Sequence, residues 1–241
     1  MSRFSRRQLL TGAAGFGGLA LAARLADQYG LLPPDSGGLY GPGHALTYAA
    51  HRLLTGDALA REFPRHQISA APFSTKGRPK TPEFQQAAAT GFPDWRVTID
   101  GLVARPVSFS LADLRAQPAG SQITQLICEE GWSFIAEWTG VPLAALLQQA
   151  GLLPQARFVV YASAQKPWAN SIDLPEALHP QTLLTYGMNG RDLPVDHGGP
   201  LRLRVPRQLG YKSVKFINRI TVTDTLQGHP AGGRYSWYAG I

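Results

Sequence analysis

Short runs in which apolar and polar residues alternate recur along the second half of the chain. Such alternation with a period of two is typical of strands with one buried face. A hairpin is indicated where Leu183–Met188 and Arg191–Leu193 flank the dipeptide Asn189-Gly190, which strongly favours a two-residue turn. The other predicted strands are Trp95–Asp100, Val107–Phe109, Gln122–Cys128, Arg157–Ala162, Pro200–Val205 and Val214–Thr223.

Helical patterns are few and short. Pro142–Ala150 has proline at its start and Gly151 after its end, which is the usual asymmetry of helix termini. Ser110 followed by Asp113 predicts a helix start close to a capping box, and Ala45–Ala60 predicts one more short helix. The pattern as a whole therefore predicts an α+β fold that is rich in β-structure, with mixed sheets and short helices.

The chain divides into three parts by composition. Residues 1–26 are predicted to be a targeting segment, and residues 95–241 are predicted to form the main domain. Residues 27–94 between them are rich in proline and glycine and are predicted to run over the surface of the main domain; we call them the N-terminal wrap. Within the wrap, Phe63–Phe92 contains prolines at 64, 72, 79 and 82, so an extended loop is predicted there.

The N-terminus has a basic head and then an apolar stretch, Leu9–Ala23. The order Ser5-Arg6-Arg7-Gln8-Leu9-Leu10 resembles a twin-arginine signal, which directs export of folded proteins and predicts a periplasmic location. The apolar stretch is shorter than the roughly 20 residues of a spanning helix. An uncleaved membrane anchor is the alternative. Twin-arginine export commonly serves proteins that fold around a cofactor before they cross the membrane.

Composition narrows the class of protein. The chain has 241 residues, 44% of them hydrophobic, and a net charge of +7. Four of these positive charges are arginines in the first 26 residues, which contain no acidic residue, so the remaining chain carries only +3. This small excess gives no indication of nucleic-acid binding. A single cysteine excludes an internal disulfide and a cysteine-rich zinc or iron–sulfur site.

That cysteine, Cys128, ends an apolar run and precedes two carboxylates, a glycine and a tryptophan. A thiol in this setting is either buried packing or a soft ligand for a metal, and a lone cysteine is more often the former. The residues around Cys128 do not decide between the two.

Two longer motifs carry a family resemblance. CEEGWSFIAEWTGVPLAALL and LHPQTLLTYGMNGRDLPVDHGGPLRLRVPRQLGYKSVKFINRITV together resemble the molybdopterin-binding domain of the sulfite oxidase family. The likeness is strongest to its small exported bacterial branch, that of the periplasmic methionine sulfoxide reductases. The resemblance extends from Trp95 to Asp224, and a short similar stretch follows at Tyr235–Tyr238.

The resemblance implies roles for three residues at the reaction centre. Cys128 matches the thiolate that ligates molybdenum beside the two sulfurs of the pterin dithiolene. Glu130 matches the carboxylate of the pattern Cys-x-Glu-x-Trp-Ser. If the segment is extended, Glu130 shares a face with Cys128 and is placed to relay a proton. Tyr238 is assigned a place on the substrate side.

A second set of residues is implied to hold the pterin and its phosphate. His197-Gly-Gly-Pro-Leu-Arg202 resembles the family pattern His-Gly-x-Pro-x-Arg, and a guanidinium pairs well with phosphate. The segment that begins at Gly210 resembles Gly-x-[Lys/Arg]-Ser-Val-Lys. The cofactor-binding residues expected from this resemblance are His197, Arg202, Gly210, Lys212, Ser213, Val214 and Lys215.

The chain also departs from the family pattern. The sulfite-oxidising branch has Asn-Arg-Arg soon after its cysteine, whereas this chain has Gly-Trp-Ser, which argues against sulfite as the substrate. Upstream, where the family often has an asparagine that touches the cofactor, the chain reads Phe73-Ser-Thr-Lys-Gly77. Thr75 or Lys76 is expected to replace that contact.

The resemblance implies an exported, molybdopterin-dependent oxidoreductase. We expect two-electron Mo(VI)/Mo(IV) chemistry on a small-molecule substrate, such as oxygen-atom transfer in sulfoxide reduction, with electrons from a membrane cytochrome. Three alternatives remain at this point. They are a cysteine hydrolase that uses Cys128 with His179 or His197, a non-catalytic ligand-binding protein on the same fold, and a sulfite dehydrogenase-like enzyme.

Overall fold

The computed structural model describes residues 21, 41–75, 77–165, 168–226 and 228–229. The chain divides into two compact units, residues 1–56 and residues 57–241. In the first unit a helix, α1, spans Gly41–Thr55, so the helix predicted at Ala45–Ala60 exists but begins and ends earlier. Apart from Leu21, the predicted targeting segment lies outside the described residues. None of the helices that the structure describes is long and apolar enough to cross a membrane.

The second unit contains two five-stranded sheets. The first has the strand order β2-β1-β10-β5-β6. Its β1 and β10 are parallel, and its other neighbours are antiparallel. These strands are β1 (Arg96–Gly101), β2 (Val107–Ser110), β5 (Phe158–Ser163), β6 (Ala169–Asp173) and β10 (Ile217–Thr223).

The second sheet is antiparallel, with the order β3-β4-β7-β8 and with β9 also paired to β7. Its long β3–β4 hairpin places Cys128 directly after the end of β3. The strands are β3 (Gly120–Ile127), β4 (Ser133–Pro142), β7 (Leu183–Met188), β8 (Arg191–Asp192) and β9 (Arg202–Arg204).

The helices of this unit are short. At the start of α3 both halves of the Ser110–Asp113 capping box are present, and Gly151 ends α4 in the left-handed conformation. The helices are α2 (Pro82–Ala89), α3 (Leu111–Arg115), α4 (Leu143–Ala150) and α5 (Leu174–Ala177), with 3-10 turns at Arg65–Gln67, Val195–His197 and Gly210–Lys212.

The extended loop predicted at Phe63–Phe92 is wrong for its last third, which forms α2. Pro82 was counted as a helix breaker, but it occupies the first turn, where its missing N–H costs nothing. Thr81 caps the helix by accepting a hydrogen bond from the Phe84 N–H. Phe84 then buries its ring against Phe92 and Phe216. Tertiary packing and a good cap therefore outweigh the local proline signal.

Three hydrophobic clusters of described residues stabilise the sheets. The smallest contains Phe158, Val160 and Leu226, and the other two are larger. The largest cluster lies around β1, β5, β10 and α4, and it includes the fully buried residues Ile99, Leu146 and Ile220. A smaller cluster lies at the β3–β4 hairpin around Trp138, which is also fully buried. This second cluster forms the apolar support of the region that follows Cys128.

The segment that precedes α2 is fastened to the second sheet. Phe63 N donates a hydrogen bond to the Ile123 carbonyl oxygen at 2.9 Å, and the side-chain amide of Gln181 bonds both backbone groups of Ala60. Arg207 donates to the Ala58 carbonyl oxygen at 3.0 Å.

Arg207 also forms a buried ion pair with Glu176, at 3.2 Å between Nη2 and Oε2, with the two side chains 3% and 0% exposed. An ion pair in this environment is costly to break, because the remaining charge loses its partner without gaining water.

We predict that Arg207→Met lowers the free energy of unfolding by about 3 kcal/mol, because Glu176 would be left buried without its guanidinium. Chemical denaturation of the purified variant measures this change. The double variant Glu176→Gln/Arg207→Met should lose less than the single variant. Arg115→Met is the control, since its pair with Asp192 is exposed and is worth at most about 1 kcal/mol. Equal losses in Arg207→Met and Arg115→Met would contradict the prediction.

Candidate active site

A cavity of about 310 Å³ lies where the β3–β4 hairpin, the β5–β6 hairpin and the Gly210–Lys215 segment meet. Most of the site residues predicted from the sequence line this cavity. They are Cys128, Glu130, Arg202, Gly210, Ser213, Val214 and Lys215. His197 and Lys212 lie behind its wall, and Tyr238 lies outside the described residues.

Cys128 begins the tight turn that joins β3 to β4. The turn is closed by hydrogen bonds from Cys128 N to the Trp132 carbonyl oxygen at 2.9 Å and from Gly131 N to the Cys128 carbonyl oxygen at 3.1 Å. Gly131 adopts φ +90°, a conformation that favours glycine. A turn, and not the extended segment assumed from the sequence, therefore brings Cys128 and Glu130 to the same cavity.

The Cys128 thiol is surrounded by carboxylates. Its Sγ lies 3.4 Å from Glu129 Oε2 and 3.8 Å from Glu130 Oε2. Burial raises the pKa of the thiol to about 11, and the two carboxylates contribute in the same direction. A cysteine nucleophile needs the opposite shift and a neighbouring base, and no histidine is among the described residues that line this cavity. The geometry disfavours the cysteine hydrolase.

Glu130 is oriented by Trp132. The indole Nε1 donates a hydrogen bond to Glu130 Oε2 at 2.9 Å, so the carboxylate is fixed although it is exposed. The Trp132 ring stacks parallel to Phe134, with centroids 6.2 Å apart, and this anchors it to the smaller hydrophobic cluster. Glu130 thus keeps a defined position beside the thiol.

Two buried arginines project from β9 onto the same support. Arg202 and Arg204 place their guanidinium carbons 5.5 and 5.4 Å from the Trp138 ring. Arg202 donates to the carbonyl oxygens of Ser213 and His197. Arg204 donates to the Ser213 and Thr124 hydroxyls and to the Gln125 carbonyl oxygen, while its buried Nε atom has no hydrogen-bond partner among the described residues. Their alternation in the sequence predicted that the two share a face, and they do.

The two lysines of the Gly210–Lys215 segment have different environments. Lys212 is fully buried, and its ammonium donates to Asn170 Oδ1 at 2.9 Å and to the Ser171 carbonyl oxygen at 2.6 Å. It thereby fixes the 3-10 turn to β6 behind the cavity wall. Lys215 reaches the cavity and donates to the Asp196 carbonyl oxygen at 2.6 Å.

The cavity therefore concentrates positive charge. Among the described residues, no carboxylate lies within 4 Å of the charged groups of Arg202, Arg204 or Lys215. Burial, followed by repulsion from Arg202, lowers the pKa of Arg204 to about 9 and the pKa of Lys215 to about 8. Burial alone lowers the pKa of Lys212 to about 7, and nearby Asp173 and Glu176 oppose that shift. Such a site is suited to a bound anion.

His197 supports the site from behind. Burial lowers the pKa of its imidazole to about 4, and Arg202 and Lys215 add to the effect, so the ring is neutral at pH 7. The ring packs edge-on against Phe134, and its carbonyl oxygen accepts a hydrogen bond from Arg202. The structure therefore places His197 as a support for Arg202 and on a neighbouring cavity.

Because Gly210 has no side chain, the turn that carries Cys128 can lie close to the Gly210–Lys215 segment. A methyl group at this position would come within 3.3 Å of the Ile127 carbonyl oxygen and 3.5 Å of the Cys128 Cα atom. Any larger side chain would displace the backbone at the cysteine, which explains glycine at this point of the motif.

The upstream segment reaches the same region. Ser74 and Thr75 each place a hydroxyl oxygen 3.4 Å from Lys215 Nζ, and Thr75 and Gly77 line the cavity. Thr75, one of the two residues expected to replace the family asparagine, is thus at the cavity. Lys76, the other, lies outside the described residues.

The sequence analysis missed the wall that the β5–β6 hairpin supplies. Ser163, Gln165, Trp168 and Asn170 line the cavity, although no strand was predicted at Ala169–Asp173. One signal was present in the sequence. Asp173 precedes Leu-Pro-Glu, a helix start with a capping aspartate, and it marks the end of a preceding strand.

No group of three or more histidine, cysteine, aspartate or glutamate side chains in the described part of the chain is placed to hold a metal ion.

Comparisons with known proteins agree with this geometry. Residues 82–230 match the model of a family described as the oxidoreductase molybdopterin binding domain. The putative protein-methionine-sulfoxide reductase subunit YedZ1 of Azospira oryzae is 35% identical over 189 residues, which cover 78% of this chain and 70% of that protein. The protein-methionine-sulfoxide reductase catalytic subunit MsrP of Gluconobacter oxydans is 31% identical over 258 residues, which cover 98% and 76%.

A solved structure supports the fold. The sulfane dehydrogenase SoxCD from Paracoccus pantotrophus superposes with a TM-score of 0.55 at 24% identity, over 62% of this chain and 46% of that chain. The predicted α+β fold with mixed sheets and short helices is confirmed.

We predict that protein prepared without any bound cofactor becomes more stable as the pH rises from 7 to 9. The pKa values of Lys212 and Lys215 are lowered in the folded state to about 7 and about 8. The unfolded chain keeps protons that the folded chain has lost in this range, so unfolding becomes less favourable with pH. Thermal melts across this range measure the effect.

Above pH 9 the rise should continue, because the lowered pKa values of Arg204, about 9, and Arg202, about 10, add to those of the lysines. Together they outweigh the opposite effect of Cys128, whose pKa is raised in the folded state. Binding of an anion to the cations should flatten the rise between pH 7 and 9. A melting temperature that falls from pH 7 to pH 9 in the cofactor-free protein would contradict the electrostatic description.

Proposed function

The chain belongs to the family of oxidoreductases with a molybdopterin-binding domain, and from this premise we propose that it reduces methionine sulfoxide within polypeptides. The family resemblance predicted from the sequence motifs is confirmed. The protein is an oxidoreductase, and its cofactor is a molybdopterin that carries molybdenum. The substrate, the direction of reaction, the roles of individual residues and the location are the proposal.

The cavity residues fit this cofactor. A pterin phosphate is an anion, and the cations of Arg202, which is buried, and Lys215, which is half-buried, line the cavity without a carboxylate partner among the described residues. The buried Arg204 lies beside them on β9 and adds positive charge without lining the cavity. Arg202 and Lys215 would hold the phosphate end, and Cys128 would bind the metal.

When bound, the cofactor supplies a metal that exchanges two electrons and one oxygen atom with the substrate. The reaction consumes a sulfoxide, two electrons and two protons and produces a thioether and water. Glu130, fixed by the indole of Trp132, is the residue that delivers a proton to the departing oxygen. As a ligand of the metal, Cys128 would be a thiolate, since a metal cation would reverse the effect of the carboxylates on the pKa of the thiol.

The observation that carries the choice of substrate is the charge of the Cys128–Trp132 turn. It holds two exposed carboxylates, Glu129 and Glu130, and no arginine. An anionic substrate such as sulfite would meet these carboxylates, whereas a sulfoxide is neutral. The two curated relatives are named as methionine-sulfoxide reductases, in agreement with this choice. A sulfite dehydrogenase-like activity is therefore disfavoured.

In this proposal a second protein supplies the electrons to the molybdenum cofactor. The relatives are named as subunits of reductases, which supports a partner that carries electrons. A membrane cytochrome is the partner that the family resemblance suggested. The twin-arginine motif at Arg6-Arg7 supports export to the periplasm.

We predict that the molybdenum-loaded protein, with a reduced viologen dye as electron donor, reduces methionine sulfoxide in a blocked peptide and does not oxidise sulfite. Glu130→Gln should lower kcat by about 100-fold, since it keeps the shape of the carboxylate but removes its proton. Glu129→Gln is the matched control and should retain activity within about threefold. Oxidation of sulfite at a comparable rate would overturn the substrate assignment.

Protein made in a host that synthesises molybdopterin should contain about one molybdenum per chain, and Cys128→Ser should be badly depleted of the metal. The reason is that a neutral hydroxyl is a poor replacement for a soft thiolate. Elemental analysis and pterin fluorescence measure both contents, with Glu129→Gln as the control. A normal molybdenum content in Cys128→Ser would remove Cys128 from the ligands of the metal.

A further inference from the structure

Trp168 is an unusual residue at the mouth of the cavity. Its side chain is 56% exposed, although it lines the same cavity as Cys128 and Glu130. An exposed indole beside a reaction site has no packing role to explain it, because the neighbouring sheet does not bury it. Large aromatic side chains in such positions are frequent contact residues for ligands and partners.

The backbone that carries Trp168 is fixed although its side chain is exposed. The Trp168 carbonyl oxygen accepts a hydrogen bond from Ser163 N at 2.9 Å, and Trp168 N donates to the Gln165 carbonyl oxygen at 3.0 Å. Gln165 N in turn donates to the Ser163 hydroxyl at 3.0 Å. The backbone of Trp168 is thus held by hydrogen bonds to Ser163 and Gln165, so less backbone freedom is lost when the residue makes a contact.

A second exposed ring reaches this region from the N-terminal wrap. Phe73 is 52% exposed, and its ring centroid lies 4.7 Å from that of Trp132, which lines the cavity. The mouth therefore has apolar surface on two separate segments of the chain, more than a substrate of a few atoms would contact.

The charges at the mouth select among sulfoxides. Glu129 and Glu130 are exposed beside the cysteine, and a free amino acid would bring a charged α-carboxylate and a charged α-ammonium group to this mouth, both of which would lose water on binding. In a peptide both charges are replaced by neutral amides. The mouth thus combines apolar rings, which suit neighbouring side chains, with a charged turn that suits a neutral sulfoxide.

We propose that Trp168 docks the polypeptide on either side of a methionine sulfoxide, and that this contact gives the enzyme its preference for peptide-bound over small sulfoxides. The proposal rests on the proposed function and adds a residue that determines its specificity. Trp168 takes no part in the transfer of oxygen, electrons or protons. It acts only on substrates long enough to reach beyond the cavity.

The test compares Trp168→Ala with the unchanged holoenzyme on two substrates, with reduced viologen as donor. The first is a blocked peptide of about nine residues with a central methionine sulfoxide, and the second is dimethyl sulfoxide. The expected result is a fall of about tenfold in kcat/KM for the peptide, mainly through KM, because truncation of a central aromatic contact has effects of this size. The value for dimethyl sulfoxide should change less than twofold.

Three controls accompany this comparison. Trp168→Phe keeps an aromatic face and should retain peptide activity within about threefold. Leu178→Ala removes an exposed apolar side chain that does not line the cavity, and it should match the unchanged enzyme on both substrates. All rates are divided by molybdenum content, so that loss of cofactor is not mistaken for loss of docking.

A second readout does not depend on turnover. Fluorescence anisotropy of the labelled sulfoxide peptide, added to the oxidised holoenzyme without a donor, should show a Kd about tenfold higher for Trp168→Ala. An unlabelled peptide of the same sequence should displace it, and dimethyl sulfoxide at equal concentration should not.

The outcomes separate this proposal from the function on which it rests. If the unchanged holoenzyme reduces neither substrate, the proposed function fails and this inference fails with it. If it reduces both, and Trp168→Ala loses activity on both equally or on neither, sulfoxide reduction stands and the role of Trp168 is wrong. A selective loss with the peptide alone, matched by weaker peptide binding, supports both.

Discussion

Burial of cationic side chains without carboxylate partners is the constraint around which this fold is arranged. A buried charge is stable only if other groups replace its water. Here the Ser213 backbone, the Asp196 carbonyl oxygen and the face of Trp138 do so in part. These contacts come from β4, the 3-10 turn Val195–His197 and the segment before β10. The sheet arrangement therefore holds Arg202 and Arg204 away from water, with Arg202 at the cavity wall and Arg204 behind it.

The site is layered by charge. Cations lie on the inner side of the cavity, the Cys128 thiol lies at the hairpin turn, and the carboxylates Glu129 and Glu130 lie on the exposed side. An anionic cofactor is attracted to the inner layer, and an anionic substrate is repelled by the outer one. The two layers of opposite charge in one small cavity thus favour an anionic cofactor and disfavour an anionic substrate.

Much of this arrangement was predictable where local signals and tertiary packing agree. The end of β3 at the cysteine, the Asn189-Gly190 hairpin and the capping box at Ser110 all appear as expected. Helix α2 was missed, because prolines were read as breakers while the burial of Phe84 decided the outcome.

The wall at Trp168 was missed for a different reason. Its position at the cavity depends on the hairpin in which β5 pairs with β6, and Ala169–Asp173 is almost entirely buried and has no regular alternation of polar and apolar residues. The motif resemblance identified the cysteine and the basic residues, since those are short and ordered along the chain. Tyr238 and most of the targeting segment lie outside the described residues, so both stay predictions.

The N-terminal wrap connects the stability of the fold to the site. At one end Arg207 holds Ala58 while it pairs with the buried Glu176. At the other end Ser74 donates to the Asp196 carbonyl oxygen, the same atom that accepts from Lys215. Weakening either end releases the segment that positions the hydroxyl groups beside Lys215. The buried ion pair is thus linked, through residues 58–74, to the hydrogen bonds around Lys215 at the cavity.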